Sequence, residues 1–276
     1  MNSLFDGPEV SALLFHPSAC SPSPLPEGAI DLLIPVAEDI NIGCRFFSAA
    51  KDAPLIIFFH GNGEIVADYD DIGPQFTKQG VNFLVTDYRG YGWSNGTSTA
   101  STILADAHVI YRYIREWLPS NGYESNIVLM GRSLGSACAI DLAAAYNDDI
   151  KGLIIESGFA QSLPLLKTLG IDPETLQLKE NDCFDNERKI AEVTKATFIF
   201  HGQFDDIIDF NQAERLQSAC GARGKELQMV PGADHNSLMA VAGPMYFKVL
   251  QDFVAKITGA KDWRKVRKAY RENRRK

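Results

Sequence analysis

Short apolar runs recur along this 276-residue chain, and longer amphipathic stretches separate them. Six of the runs are continuous, and most show too little polar alternation to be half exposed, which is typical of parallel strands buried on both faces. They occupy residues 55–59, 81–85, 127–130, 153–155, 197–200 and 227–230. The pattern therefore predicts a largely parallel sheet.

The stretches between the runs show helical spacing, with Pro119 and Gly221 placed as stop signals. The predicted helices cover residues 69–79, 101–118, 134–146, 210–219 and 238–257. Two earlier runs, at residues 32–36 and 42–47, are too close together for a crossover helix, so they predict an antiparallel N-terminal edge. The predicted fold class is α/β, with a mostly parallel, doubly wound sheet.

A single domain over residues 1–257 is predicted, because the chain contains no visible linker and its length suits one buried sheet. Residues 158–193 interrupt the alternation of runs and helices. Insertions after the carboxyl ends of strands border the ligand crevice of open α/β sheets, so this segment is predicted to form a small cap. A plain surface excursion is the alternative.

The end of the chain is strongly basic. Residues 256–276 contain ten lysines and arginines against two acidic residues, and Trp263, Val266 and Tyr270 recur among them at helical spacing. Residues 258–276 are therefore predicted to form a basic amphipathic tail that rests on the acidic remainder of the chain or on a second subunit. An anionic membrane surface or nucleic acid is the alternative partner for this tail.

Composition limits the location and the partners. The net charge of −8 disfavours nucleic acid as the main partner. Five scattered cysteines without a C-x-x-C pair fit a reducing compartment better than a disulfide framework or a zinc site. No stretch approaches the roughly 18 apolar residues of a membrane span, so no stable membrane insertion is expected. We expect a cytoplasmic protein that is a monomer or a weak homodimer.

One serine is flanked by glycines at a predicted strand-to-helix corner. Ser133 lies in a G-x-S-x-G sequence between Gly131 and Gly135, directly after the run at residues 127–130. A corner this sharp excludes side chains at the flanking positions and lifts the serine hydroxyl clear of the sheet. Ser133 is therefore the candidate nucleophile.

A serine hydroxyl needs a base to take its proton and an acid to orient that base. His235 follows the last apolar run in a polar loop and is the candidate base. Asp205 follows the preceding run by the shortest loop and is the favoured acid. Glu156, at the end of another predicted strand, remains the alternative, whereas Asp209 is expected to cap a helix.

Ester cleavage also requires two fixed N–H donors for the developing oxyanion. The residue after the nucleophile, Leu134, is one candidate. The other is the backbone N–H of Asn62, in the glycine-rich turn at residues 60–64. His60 and His201 are expected to stabilise turns. The loop at residues 87–94 is expected to be structural, with Asp87 and Arg89 able to pair.

These motifs resemble those of the α/β-hydrolase superfamily, and more closely its Bem46-like and serine aminopeptidase-like group. The resemblance rests on residues 59–63, 87–94, 131–135, 201–205 and 232–236 and covers most of the chain. It implies hydrolysis of a carboxylic ester or thioester through an acyl-enzyme on Ser133, with a small-molecule acyl ester as substrate and no metal or organic cofactor. A peptidase or amidase using the same triad, and a non-catalytic binding protein of this fold, are the alternatives.

Overall fold

A computed structural model describes residues 4–259, and a sheet of eight strands lies at its centre. The strands are β1 (Ala29–Ala37), β2 (Ile40–Phe47), β3 (Leu55–Phe59), β4 (Asn82–Thr86), β5 (Ile127–Arg132), β6 (Gly152–Glu156), β7 (Ala196–Gly202) and β8 (Lys225–Val230). Their order across the sheet is β1-β2-β4-β3-β5-β6-β7-β8. β2 pairs antiparallel with β1 and β4, and all other neighbours pair in parallel. The predicted fold class is confirmed.

Helices cover both faces of the sheet. In chain order they are α1 (Pro8–Leu14), α2 (Gly73–Lys78), α3 (Ala100–Ser120), α4 (Gly135–Ala145), α5 (Ser162–Thr168), α6 (Asn186–Ala191), α7 (Asn211–Ala219), α8 (Leu238–Ala242) and α9 (Pro244–Thr258). Short 3₁₀ turns occur at Val66–Tyr69 and Glu180–Asp182.

Successive residues of each central strand enter two different hydrophobic cores. In β3, Ile57 and Phe59 pack towards α3 and α4, whereas Ile56 and Phe58 pack towards α2 and α9. All five β3 residues are buried. The absence of polar alternation that predicted these strands thus reflects burial on both faces, which is the arrangement that crossover helices produce.

Two helix predictions were too long. Residues 69–79 contain the last residue of a 3₁₀ turn, a further turn at residues 70–72 and then the shorter α2, which has Pro74 in its first turn. Residues 238–257 are divided into α8 and α9 at Gly243, whose φ of 53° is left-handed, and Pro244 then starts α9. Proline lacks the N–H that a continuing helix would need, so it favours a new first turn at both places.

Residues 158–193 contain two short helices, α5 and α6, and pack against the N-terminal residues. The ring of Phe184 is buried between Phe5 and Phe159, at centroid distances of 5.1 and 5.7 Å. The buried side chain of Gln212 in α7 accepts hydrogen bonds from the N–H groups of Ala160 and Gln161. The role of this segment as a cap stays a prediction.

The predicted basic tail at residues 258–276 lies, from residue 260 onward, outside the described residues.

Candidate active site

Ser133 lies on a sharp corner between β5 and α4. Its φ of 51° is left-handed, which is rare for a residue with a side chain. The corner is tight because a Cβ on Gly131 would lie 2.3 Å from the carbonyl oxygen of Gly135, and a Cβ on Gly135 would lie 2.1 Å from that of Phe59. The Ser133 N–H donates to the Glu156 carbonyl at 2.9 Å, which fixes the corner to the end of β6.

The structure brings Ser133, His235 and Asp205 together at the carboxyl edge of the sheet. The Ser133 Oγ lies 2.9 Å from the His235 Nε2, and the His235 Nδ1 lies 2.8 and 2.9 Å from the two oxygens of Asp205. All three residues are buried. With Nδ1–H donating to the carboxylate, Nε2 is left to accept the serine proton.

The Asp205 carboxylate is held in its ionised form. Burial opposes ionisation, but hydrogen bonds from His201, His235 and the Ile208 N–H outweigh it and lower the pKa of Asp205 below its ordinary value. The Ile207 and Ile208 N–H groups donate to its Oδ1 at 3.1 and 2.8 Å. His201 donates from Nε2 to the Ile208 carbonyl at 2.7 Å, and the same nitrogen lies 3.3 Å from the Asp205 Oδ2.

Glu156, the alternative acid, faces a different set of partners. The Tyr246 hydroxyl donates to its Oε2 at 2.5 Å, and its Oε1 lies 3.5 Å from the Arg132 Nε. Burial raises its pKa, and the Arg132 charge and the Tyr246 hydrogen bond only partly offset that rise. The described contacts of His235 therefore favour Asp205 over Glu156 as its acid. Asp209 accepts the N–H of Asn211 at 2.9 Å, at the start of α7.

Arg132, next to the nucleophile, connects the base loop to the turn at residues 60–64. Its Nη2 donates to the His235 carbonyl at 2.9 Å, and its Nη1 forms an ion pair with Glu64. The other carboxylate oxygen of Glu64 accepts the Gly61 N–H at 2.7 Å and the Tyr69 hydroxyl at 2.9 Å. Neither the contact of Arg132 with the His235 carbonyl nor its ion pair with Glu64 was predicted from the sequence. The position of Arg132 inside the G-x-S-x-G motif was the available signal, because an arginine at a buried corner requires an acidic partner.

Both predicted oxyanion residues lie beside the corner. Leu134 directly precedes α4 and is buried, and the residue after it contacts the carbonyls of Phe59 and His60. Asn62 follows β3 in the turn that these carbonyls begin. The N–H of its neighbour Gly61 donates to the Glu64 Oε2 at 2.7 Å, so that N–H already has a protein acceptor.

The loop at residues 87–94 differs from one expectation. Arg89 forms a bidentate pair with Asp106, at 2.7 Å for both contacts, and not with Asp87. Asp87 instead accepts the Val66 N–H at 2.8 Å and lies 3.3 Å from the His60 Nε2. The expectation failed because helix α3 presents an acidic side chain that local sequence does not reveal. Through Asp87, the loop thus contacts His60 in the turn at residues 60–64.

Two cavities border Asp205 and His235, one at each residue. One of about 740 Å³ reaches Asp205 and is walled by α5 and α7. One of about 340 Å³ reaches His235 and is walled by Arg132, Tyr69, Met239 and Tyr246. Within residues 4–259, no cluster of three or more potential metal ligands occurs, and no helix is long and apolar enough to cross a bilayer.

Comparison with known proteins identifies relatives in sequence. A family model described as "Serine aminopeptidase, S33" matches residues 50–171. Alpha/beta hydrolase domain-containing protein 17C of Mus musculus is 29% identical over 225 residues, which cover 79% of this chain and 65% of the mouse protein. Protein 17B of Homo sapiens is 29% identical over 221 residues, covering 78% and 71%. The chain spans slightly less than two thirds of the length of the mouse relative.

Solved structures share the fold at low sequence identity. The esterase Pf2001 of Pyrococcus furiosus superposes with a TM-score of 0.72 at 17% identity, covering 87% of this chain and 98% of that protein. Est1E from Butyrivibrio proteoclasticus gives 0.66 at 18% identity, covering 83% and 99%. From its sheet order, its serine corner and these similarities, the chain has the α/β-hydrolase fold.

Proposed function

We propose that the protein is a serine hydrolase that cleaves small to medium carboxylic esters or thioesters through an acyl-enzyme on Ser133. The observation that carries the proposal is the unbroken line of hydrogen bonds from the Ser133 Oγ through the His235 imidazole to the Asp205 carboxylate, with contacts of 2.8 to 2.9 Å. A buried serine, imidazole and ionised carboxylate in this arrangement are the components that nucleophilic acyl transfer requires.

In the proposed acylation step, the Ser133 Oγ attacks the substrate carbonyl carbon while its proton passes to the His235 Nε2. The electron pair of the carbonyl moves to its oxygen, which the N–H groups of Asn62 and Leu134 then stabilise. The new imidazolium is stabilised by Asp205, which stays ionised. When the intermediate collapses, His235 returns the proton to the departing alcohol or thiol, and the acyl group remains on Ser133.

Deacylation repeats these events with water. His235 takes a proton from the water as its oxygen attacks the acyl carbon, and a second oxyanion forms at the same two N–H groups. Collapse breaks the bond to the Ser133 Oγ, which recovers its proton from His235. The products are a carboxylic acid and the free enzyme.

An ester substrate is supported by what is known of two structural neighbours by name. Pf2001 is named as an esterase, and one solved structure of Est1E has ferulic acid bound. An amide substrate is a second candidate, because the matching family model is named for an aminopeptidase. Activated p-nitrophenyl esters acylate the serine of esterases and peptidases alike, so an amino-acid p-nitroanilide is the substrate that distinguishes the two candidates. We expect no measurable turnover of this amide.

A cytoplasmic location is also proposed. All five cysteines lie in the described residues, all are free, and four are buried. Free thiols of this kind fit a reducing compartment.

Replacing Ser133 with alanine tests the activity directly. The expected fall in kcat for p-nitrophenyl acetate is on the order of 10⁴ to 10⁶, because the acyl-enzyme can no longer form. Covalent labelling by a fluorophosphonate should disappear with it. Ser120→Ala, at the exposed end of α3, is the control and should keep both properties. Normal turnover by Ser133→Ala would refute the assignment, and an unlabelled, inactive native protein would support the non-catalytic alternative.

A further inference from the structure

Two of the three residues in the turn that carries Asn62 are glycines. Gly61 and Gly63 flank Asn62, and the φ of Gly63 is 77°. Glycine offers no side chain by which neighbouring elements can hold a backbone, and it leaves many conformations open. Within this three-residue turn, the amide of Asn62 is therefore the one side chain through which the rest of the protein can fix the direction of the Asn62 N–H.

Three hydrogen bonds hold that amide. The Tyr91 hydroxyl donates to the Asn62 Oδ1 at 2.7 Å, and the backbone N–H of His16 donates to the same oxygen at 2.8 Å. The Asn62 Nδ2 donates to the His16 Nδ1 at 3.1 Å. Because the Oδ1 accepts two donors, the amide orientation is determined, and the His16 ring must accept at Nδ1 and carry its proton at Nε2.

The backbone around His16 is anchored without help from the imidazole. The Gly92 N–H donates to the Ser18 carbonyl at 2.9 Å, and the Cys20 N–H donates to the Gly92 carbonyl at 2.7 Å. Ala19 forms a parallel bridge with Gly92, and Phe15 is buried in the core. The His16 side chain itself is exposed. Its one described polar contact with the body through the ring is therefore the hydrogen bond to Asn62.

We propose that His16 is a positioning residue of the active site, which acts through the Asn62 side chain to hold the Asn62 N–H towards the oxyanion. The inference rests on the proposed function and adds His16, from the N-terminal part of the chain, to the residues that support the site. Tyr91 fixes one side of the amide from the loop at residues 87–94, and His16 fixes the other. Preorganised donors stabilise a transition state because they need no reorientation during the reaction.

The effect should be modest and should fall on the chemical step. His16→Ala removes one neutral hydrogen bond and leaves the backbone contact of residue 16 in place. We expect kcat to fall about three- to tenfold, the size expected for one such bond, with KM within about twofold of the wild-type value. A residue that contacts the substrate equally before and during the reaction would instead change KM.

The test compares His16→Ala, His16→Asn and Ser18→Ala in the full chain, with p-nitrophenyl acetate as the probe and the melting temperature as the check on folding. An asparagine Oδ1 occupies nearly the same position as the histidine Nδ1 and also accepts, so His16→Asn should restore most of kcat. Ser18→Ala lies in the same segment and keeps its carbonyl contact with Gly92, so it should behave as wild type.

The outcomes separate the two levels of the proposal. A kcat unchanged in His16→Ala, a change confined to KM, or an asparagine variant no better than alanine would each overturn the role of His16. Turnover of p-nitrophenyl acetate by Ser133→Ala at the wild-type rate would instead overturn the proposed function itself.

Discussion

The partners of each buried carboxylate decide what it can do at this site. Glu156 ends β6 and Asp205 lies in the loop after β7, and both are buried. Asp205 accepts N–H groups from a turn and from two imidazoles, which favour its ionised form. Glu156 is buried against a tyrosine hydroxyl and shares one arginine with Glu64. A carboxylate with a lowered pKa is the better partner for an imidazolium.

The lowered pKa of Asp205 predicts a pH-dependent stability. A carboxyl with a folded-state pKa below its unfolded value, about 3.9, stabilises the protein above that pH and loses its contribution as the pH falls towards the folded-state pKa. Asp205→Asn should therefore melt below the wild type at pH 7, and the gap should narrow below about pH 4. Thermal unfolding between pH 3 and 7 measures it.

Asp206→Asn, the same substitution on the exposed neighbour, is the control for this measurement. A gap between the wild type and Asp205→Asn that stays constant over the whole pH range would contradict the proposed ionised state of Asp205.

At the scale of elements, the contact between helix α4 and strand β3 sets the geometry of the nucleophile. α4 begins where the carbonyls of Phe59 and His60 approach its first residue, so the corner with Ser133 and the turn with Asn62 are held against each other. This contact leaves no space for a side chain at Gly135. The predicted nucleophile and the predicted oxyanion turn therefore depend on one close backbone approach.

Gly135→Ala tests this contact. The added Cβ would lie 2.1 and 2.6 Å from the two carbonyl oxygens, so α4 or β3 must move. We expect the free energy of unfolding to fall by about 1–3 kcal/mol, as for overpacked cores, together with esterase activity. Gly224→Ala is the matched control, because its Cβ would meet nothing within 4 Å. Equal denaturant midpoints for the two variants would contradict the close packing.

The elements that local sequence specifies were predicted well. The buried strands, the glycine corner at Ser133 and the order of loops after β7 and β8 each follow from residues adjacent in the chain. The division between α8 and α9 was missed, although Gly243 followed by Pro244 is a recognisable break. α2 was predicted too early because the spacing of apolar residues continues through the preceding 3₁₀ turn. Both errors concern helix boundaries, which depend on single residues such as Gly243 and not on the spacing of apolar residues.

At the scale of the whole molecule, the sequence alone did not reveal contacts between distant segments. His16 and Asn62 are 46 positions apart, and Arg132 and His235 are 103 positions apart. These residues meet because the fold brings segments that are distant in sequence to one edge of the sheet. No periodicity or motif encodes such a pair. Ser133, Asp205 and His235 could be predicted to meet only because the carboxyl ends of parallel strands, and the loops that follow them, lie at one edge of the sheet.

The N-terminal residues and residues 158–193 form one layer through the buried ring of Phe184. Phe184→Ala should lower the free energy of unfolding by about 3–5 kcal/mol, because the vacated space cannot be filled by its aromatic neighbours. Phe204→Ala makes the same change at a side chain that is 63% exposed and should cost far less. Urea unfolding followed by circular dichroism compares them. Similar losses for both variants would argue against a shared layer.

The left-handed backbone of Ser133 lowers the stability of the fold at the same residue whose hydroxyl the proposed activity requires. A non-glycine residue in this region carries a strain of order 1–3 kcal/mol, which a glycine would relieve while removing the hydroxyl. Selection for cellular abundance alone would therefore favour glycine over serine at this position. Inactive descendants of this chain should accumulate glycine at this corner and become harder to melt than their ancestor.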